Sequence, residues 1–506
     1  MRIVASVASL TAVIVVCSAH VGSPDVWFEG TAGAYHVVVQ VVPPSVVPGV
    51  AKVYTRVDGS GVQQVSVQAN HYDALAAAPP PEVAEPVDGT PGLYAASLWI
   101  MTGGSNSVTI AVAGANGAGK VVVPVVVVAN RRLELDPKLG AGLIVVGLFL
   151  FVGLVTIIGA AVRESTVDPG QSPDAGRRWR ARTAMAASAV VLALALLGGS
   201  RWWNSEDSAF NESIYKPLVA SASIQPNAGG PVLDFRLSDS SWTMRNDSVW
   251  LRSHHSSHWS PLIPDHGKLI HVFMIREPDL RAFAHLHPST RDSVSFPAPL
   301  PALPAGRYRV YGDIVHESGF SETVWTRVDL KESISGSTAV DSDDASHYAE
   351  TEPNGDRAML EDGSVMTIDR RAQLVEGKDA ELRFRIVGRD GKPLSLEPYI
   401  GMAGHAVVAS DDGSIFIHLH PGGTISMASQ MALTMREPGD TVAGKLGKRI
   451  QATAAMQPTP DVAKDGKISF PYAFPRPGKY HMWVQVKHEG RILTGVFALE
   501  VASAGS

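Results

Sequence analysis

Cysteine is nearly missing from this 506-residue chain, Cys17 being its only one. That excludes a disulfide framework, a cysteine-based zinc finger and an iron–sulfur ferredoxin. Charge is scarce as well: 18% of residues are charged, against ~25% in a soluble domain, a deficit that goes with membrane segments or a large buried fraction. The formal charge of −6 excludes a generally basic nucleic-acid binder. A phosphate-binding loop is imitated and not completed. Gly114 to Lys120 has the spacing of one, but Val121 stands where the magnesium-binding Ser or Thr belongs, and a Val-rich strand follows instead of a helix. A hairpin turn is expected there, and neither nucleotide nor nucleic acid is an expected partner.

What the chain does have is layout. Residues 1–19 read as a signal peptide: Arg2, an apolar run over 3–16, and the small-residue site Cys17-Ser18-Ala19. Cleavage there removes the one cysteine and makes His20 the amino terminus, where amine and imidazole together suit Cu(II), with His71 as a partner. Two further segments, 139–162 and 183–203, are expected to be transmembrane helices, the second closing on the interface anchor Arg201-Trp202-Trp203. The loop between them, 163–182, carries five arginines, so the positive-inside rule makes it cytoplasmic. The expected location is the cytoplasmic (inner) membrane, with large domains on the periplasmic side and the lipid bilayer as a partner.

Those domains are expected to be mainly β: three extracytoplasmic immunoglobulin/cupredoxin-like β-sandwich modules at 20–138, 204–330 and 364–506. β-branched runs separated by Gly, Pro and Asn recur through all three. Residues 331–363, acidic and poor in large apolar side chains, read as a solvated linker.

Histidine is unevenly distributed, 14 of 17 lying between His254 and His488. The reason is a duplication. HVFMIREPDLRAFAHLHP (271–288) is answered by HAVVASDDGSIFIHLHP (405–421), and GRYRVYGDIVHESG (306–319) by GKYHMWVQVKHEG (478–490). Four histidines recur in order: His271/His405, His285/His418, His287/His420 and His316/His488. Residues i and i+2 of a strand share a face, so each His-Leu-His aims both rings one way. A hairpin turning at Glu277-Pro278-Asp279, or at Asp411-Asp412-Gly413, is expected to set His271 opposite His285 and His405 opposite His418. Imidazole nitrogen suits zinc and copper alike. A duplicated but purely structural pattern is the competing explanation, since Phe283 and Phe416 share the same face.

Three further groups bear on the metal. Met402, beside His405, is the preferred thioether; Met427, Met431 and Met435, with Met456 beyond, form either a soft ligand set or an adaptable apolar stripe. His254, His255, His258 and His266 form a loop cluster suited to weak capture or solvation. Glu317 and Glu489 are candidates to orient a ligand imidazole.

The segments HGKLIHVFMIREPDLRAFAHLHP, LPAGRYRVYGDIVHESG and LEPYIGMAGHAVVASDDGSIFIHLHP resemble uncharacterised bacterial membrane-anchored proteins with YtkA-like or FixH-like exported domains. The resemblance covers roughly 230–330 and 370–500, and the first module only by texture, as in Pro-Gly-x-Tyr at 91–94. It implies copper handling beside a membrane metal transporter or an oxidase assembly partner. A fainter similarity to the copper-resistance protein C family lacks that family's Asp-x-His motif, and a blue-copper carrier would need a cysteine. The leading expectation is therefore a non-enzymatic, membrane-anchored metal-binding protein, for copper or else zinc. Its expected ligands are His271, His285, His287, His316, His405, His418, His420 and His488, with Met402. A cupin-like metal-dependent enzyme and a non-metal interaction module for a membrane partner are the alternatives.

Overall fold

The computed structural model describes residues 25–73, 78–129, 135–168, 170–213, 215, 217–237, 261–290, 294–337, 341–353, 355–369, 373–437, 440, 444–456 and 465–505. The signal segment, His20, His254, His255 and His258 lie outside them. The fold is mainly β, with two apolar helices, and divides into two compact units: residues 128–216, and the rest of the chain.

Within the larger unit, alternation of buried and partly exposed side chains builds the first sandwich. Val37, Val39 and Val41 turn inward from Tyr35–Val42, and Val108, Ile110 and Val112 from Gly104–Gly114. A five-stranded sheet thus faces a four-stranded one. The false phosphate loop is the expected hairpin, with Gly114 paired to Gly117.

The two histidine copies are sandwiches of one plan. In the first, Val232–Leu237 pairs with Ser295–Pro299, while Gly306–His316 pairs with His271–Glu277 and that strand with Ala282–Leu286. In the second, Ala380–Val387 pairs with Lys467–Tyr472, while Gly478–His488 pairs with His405–Ser410 and that strand with Phe416–Leu419. Each copy keeps its own apolar core, Leu233, Phe235, Val272, Met274, Tyr308 and Val310 among others in the first, and Phe384, Ala406, Val408, Tyr480, Met482 and Val484 in the second.

The opposite faces of the two hairpin sheets pack on each other through Phe273, Ile275, Phe283, Tyr311, Val407, Phe416 and Trp483. Phe283 stacks on Trp483 at 5.0 Å, and Phe416 on Tyr311 at 3.9 Å between ring centroids. Tyr311 and Trp483 hold equivalent places in the duplicated strand, so the copies exchange contacts reciprocally. Each such ring, fully buried, contributes roughly 1.5–3 kcal/mol, which makes this layer the platform on which the histidines sit.

Residues 331–363 are not simply a solvated linker. Ala345–Tyr348 adds to the edge of the first copy's sheet beside Ala282–Leu286, and Arg357–Met359 opens the second copy's four-stranded sheet. In the smaller unit the helices run Pro137–Glu164 and Ala175–Ser213, longer than expected at all four ends. Asp136 caps the first by accepting from the amides of Lys138 and Leu139. Mean hydropathy over 18-residue windows is 2.8 and 1.8, so both are long and apolar enough to cross a membrane. Gly159 lies against Met185 between them.

Candidate metal centre

Strand parity decides which side chains reach the space between the copies. Val272 and Met274 turn into the first core, so His271 turns out with Phe273 and Ile275. The same rule sends out His285, His405 and His418, and the two copies deliver their histidines to one place. His271 and His418 have ring centroids 5.4 Å apart, and His285 and His405 6.2 Å. Two groups of converging nitrogens result: His271, His285 and His287, and His266, His405 and His420. His418 stacks on His405 at 5.3 Å.

The hairpin registers correct the sequence reading. Phe273, not His271, stands opposite His285, and Val407, not His405, opposite His418. His271 and His285 are diagonal neighbours, with Nδ1 of the first 3.2 Å from Nε2 of the second.

His316 and His488 are not in the cluster. Both share the parity of Tyr308, Val310 and Ile314, or of Tyr480, Met482 and Val484, and so point to the side of their own cores. His316 pairs with Glu322 at 2.8 Å, fully buried, and His488 bonds the carbonyl of Ser395 at 2.8 Å. The residues of those strands that do reach the histidines are Asp313, paired across the ladder with His271, and Gln485, paired with His405.

Their contacts are reciprocal. His285 Nδ1 lies 2.9 Å from Gln485 Oε1, and His418 Nδ1 lies 3.2 Å from Asp313 Oδ2. Each first histidine of a His-Leu-His is thus held by the long strand of the other copy. Gln485 donates its amide to Thr494 Oγ1, which leaves Oε1 to accept from His285. His287 Nδ1 lies 3.0 Å from Asp344 Oδ1, and His420 Nδ1 2.9 Å from the carbonyl of Ile425. This network assigns the Nδ1 proton of His285 and His420 outward and turns Nε2 inward as a bare lone pair.

Two other ring nitrogens converge on the Nε2 lone pair of His285: Nδ1 of His271 at 3.2 Å and Nε2 of His287 at 3.1 Å. One lone pair accepts one proton, so the second nitrogen gains nothing there unless a cation lies between them. Ligands ~2.0–2.1 Å from a tetrahedral zinc stand ~3.3 Å apart, close to these spacings. In the rest of the cluster, Nε2 of His266, His271, His418 and His420 and both nitrogens of His405 are buried without a hydrogen-bond partner. Each such group costs about 1–3 kcal/mol.

Burial, reinforced by the neighbouring imidazoles, holds His271, His285, His405 and His418 well below the ordinary imidazole range, and His420 at about 4. These rings are neutral at physiological pH, the form that binds metal. Burial pushes Asp313 up to about 7, although the Thr323 hydroxyl works against it.

Other assignments change. His266 leaves the loop cluster for the centre, its ring 5.4 Å from that of His420. Asp344 belongs to the stretch expected to be solvated; beside it, Lys268 pairs with Asp341 and Asp343, and Lys487 with Asp343. In the turn before His405, Met402 is half-buried and pairs its backbone with Tyr399. It is the Tyr399 ring that meets His285 and His405, its hydroxyl 3.2 Å from His285 Nδ1. Met427, Met431 and Met435, on the helix Met427–Thr434 and its C-cap, pack with Ile263, Val315, Leu446 and Ile450 as an apolar face. Glu317 accepts from the amides of Gly444 and Gly447 at the start of the helix Lys445–Met456, and Glu489 is an exposed turn residue with positive φ. Neither orients a ring of the cluster.

A family model for a domain of unknown function, DUF8832, matches residues 358–503, the second copy alone. No curated protein matches. Among solved structures, an engineered protein is 21% identical over 18% of this chain and 20% of its own, with a TM-score of 0.15. A tetra-tandem repeat from the extending region of a large adhesion protein is 10% identical over 90% of this chain and 71% of its own, also at 0.15. Dimeric latent PorU from Porphyromonas gingivalis is 9% identical over 95% of this chain and 34% of its own, again at 0.15.

Proposed function

We propose that this chain is a membrane-anchored metal-binding protein whose centre is built jointly by the two histidine copies. The supporting observation is the convergence of buried imidazole nitrogens that have no other partner. His271, His285 and His287 would hold one ion, and His266, His405 and His420 another, with His418 and Tyr399 beside them. The bound ion would supply the positive charge that the bare nitrogens lack. Gln485, Asp344, Asp313 and the Ile425 carbonyl would fix ring orientation and tautomer, the ordinary office of groups behind the ligands. Copper is the metal the family resemblance implies; an all-imidazole donor set suits zinc equally. Capture and delivery fit this reading better than pumping, since the apolar segments of the two helices carry no ionisable path. The extracytoplasmic placement and the cleaved signal belong to the same proposal.

The test is a titration of the purified, metal-free full-length protein with Cu(I), Cu(II) and Zn(II) against a competing chelator, beside the double variant His285→Ala/His405→Ala, which removes one ligand from each group. Tight binding lost in the variant supports the centre. Binding no tighter than micromolar, or indifferent to both substitutions, overturns it.

A further inference from the structure

Away from the histidines, the first sandwich carries an apolar patch that its own fold leaves uncovered. Ala51, Val53, Leu98 and Ile100 turn into the core, so alternation turns Val50 and Trp99 out. These two are cross-strand partners, 41% and 67% exposed, and Met101, just past the strand, is 67% exposed. The next outward pair along the same two strands is Lys52 and Ser97. Apolar side chains at the tip therefore give way to a long cation one step up.

The position of the patch says what covers it. Gly49 pairs with Ile100 at this end of the five-stranded sheet, and Gly104 pairs with Val127 at the same end of the facing sheet. Gly103 ties the two ends together, lying against both the Val127 carbonyl and Val47. Val127 is where the chain leaves the sandwich, and Pro137 opens the first apolar helix. Ten residues span at most ~33–36 Å, so the connection from this end of the sandwich to the apolar helix is short. Stretches 42–51 and 98–109, which form the tip, contain no charged residue.

We infer that Val50, Trp99 and Met101 seat in the lipid bilayer surface, with Trp99 at the headgroup level and the Lys52 ammonium reaching toward phosphate. Indole is at home where an apolar environment meets a wet one, and lysine extends its charge past an apolar stem. The contact would fix the orientation of the sandwich on the membrane. It rests on the helices crossing the bilayer and is independent of metal binding.

The experiment places a polarity-sensitive fluorophore at position 99 (Trp99→Cys with Cys17→Ser) in the full chain, in nanodiscs of phosphatidylcholine and phosphatidylglycerol with shallow doxyl-labelled lipid. Asp88→Cys, exposed in the turn at the opposite end of the same sheet, is the control. Position 99 should show a blue shift and doxyl quenching, both missing at position 88. Unlabelled Trp99→Phe should lose a lipid-quenchable part of the tryptophan emission, which guards against a label that perturbs the tip. Water-like emission at both positions overturns the inference. So does shielding of position 99 from aqueous iodide without quenching by lipid, because a protein would then be the cover.

Discussion

The two histidine copies share a strand plan, a parity and a His-Leu-His, yet they differ in what stands behind the rings. In the first, the neutral Gln485 holds His285 and the carboxylate of Asp344 holds His287. In the second, Asp313 holds His418 and a backbone carbonyl holds His420. Asp313 and Gln485 occupy equivalent positions of the duplicated strand, so this one difference puts an acidic group behind His418 and a neutral amide behind His285. The nitrogen donors have been kept while their electronics have diverged. Two groups of three imidazoles each, with His266 in the place of His418 in the second and different groups behind the rings, are expected to differ in affinity.

The largest break in that comparison is removal of a ring. His285 Nε2 is the point on which the other two nitrogens of its group converge, so His285→Ala should abolish binding at the first group, while the His266, His405 and His420 group keeps its ion. Metal content by mass spectrometry reads the difference; equal loss from both groups would mean one indivisible centre. Next in size are the groups behind the rings. Asp344→Asn should weaken the first group by about 10–100-fold, the usual range for such partners. Asp313→Gln, which puts behind His418 the residue type that stands behind His285, should narrow the gap between the two affinities in a chelator competition. A gap that does not move would locate the asymmetry elsewhere, in His266 or in Asp344 against the Ile425 carbonyl.

Much of this architecture was legible in the sequence, for a physical reason: alternation reports which residues share a face. The strands and the common side of each His-Leu-His follow from that rule. Register does not. A slip of two residues preserves every face, so no pattern of alternation could tell His271 opposite His285 from Phe273 opposite His285; the connection between the strands sets it. His316 and His488 are a different matter. Counting by twos from Tyr308 or Tyr480 puts them on the core side, and counting from Tyr311 or Trp483 finds Asp313 and Gln485, so parity held the answer that recurrence obscured. Asp344 and His266 carried no such signal, because both reach the centre from irregular or edge segments whose position depends on tertiary packing.

Acid should separate the copies by a smaller effect. His271, His285, His405, His418 and His420 all have folded pKa values below the ordinary one. Below pH ~6.5 the unfolded chain binds protons that the native metal-free protein refuses. Their contribution is thus complete above that pH and fades as pH falls, for His420 levelling off below about 4. Asp313, raised to about 7, has the opposite sign: between its ordinary pKa and about 7 the native state holds a proton the unfolded state has lost. Asp313→Asn should therefore steepen the loss of stability in that range by about 1.4 kcal/mol per pH unit, one proton's worth. Denaturant midpoints of metal-free protein at pH 5, 6 and 7 give the slope, and an unchanged slope would deny Asp313 that role.

The smallest effects on metal belong to the recurring pair outside the centre, and they separate repetition from function. His488 is partly exposed at the edge of its turn, where it bonds a carbonyl of its own copy and lies 4.0 Å from Glu489, so His488→Ala should leave both metal content and stability nearly unchanged. His316 is fully buried against Glu322, itself 7% exposed. His316→Leu should leave metal content unchanged but cost about 1 kcal/mol, the worth of the buried hydrogen bond it removes. The two equivalent histidines would then differ in stability and agree in metal binding, as their common parity requires. Loss of metal from either variant, with the fold intact by circular dichroism, would restore it to the ligand set and reopen the register of its strand.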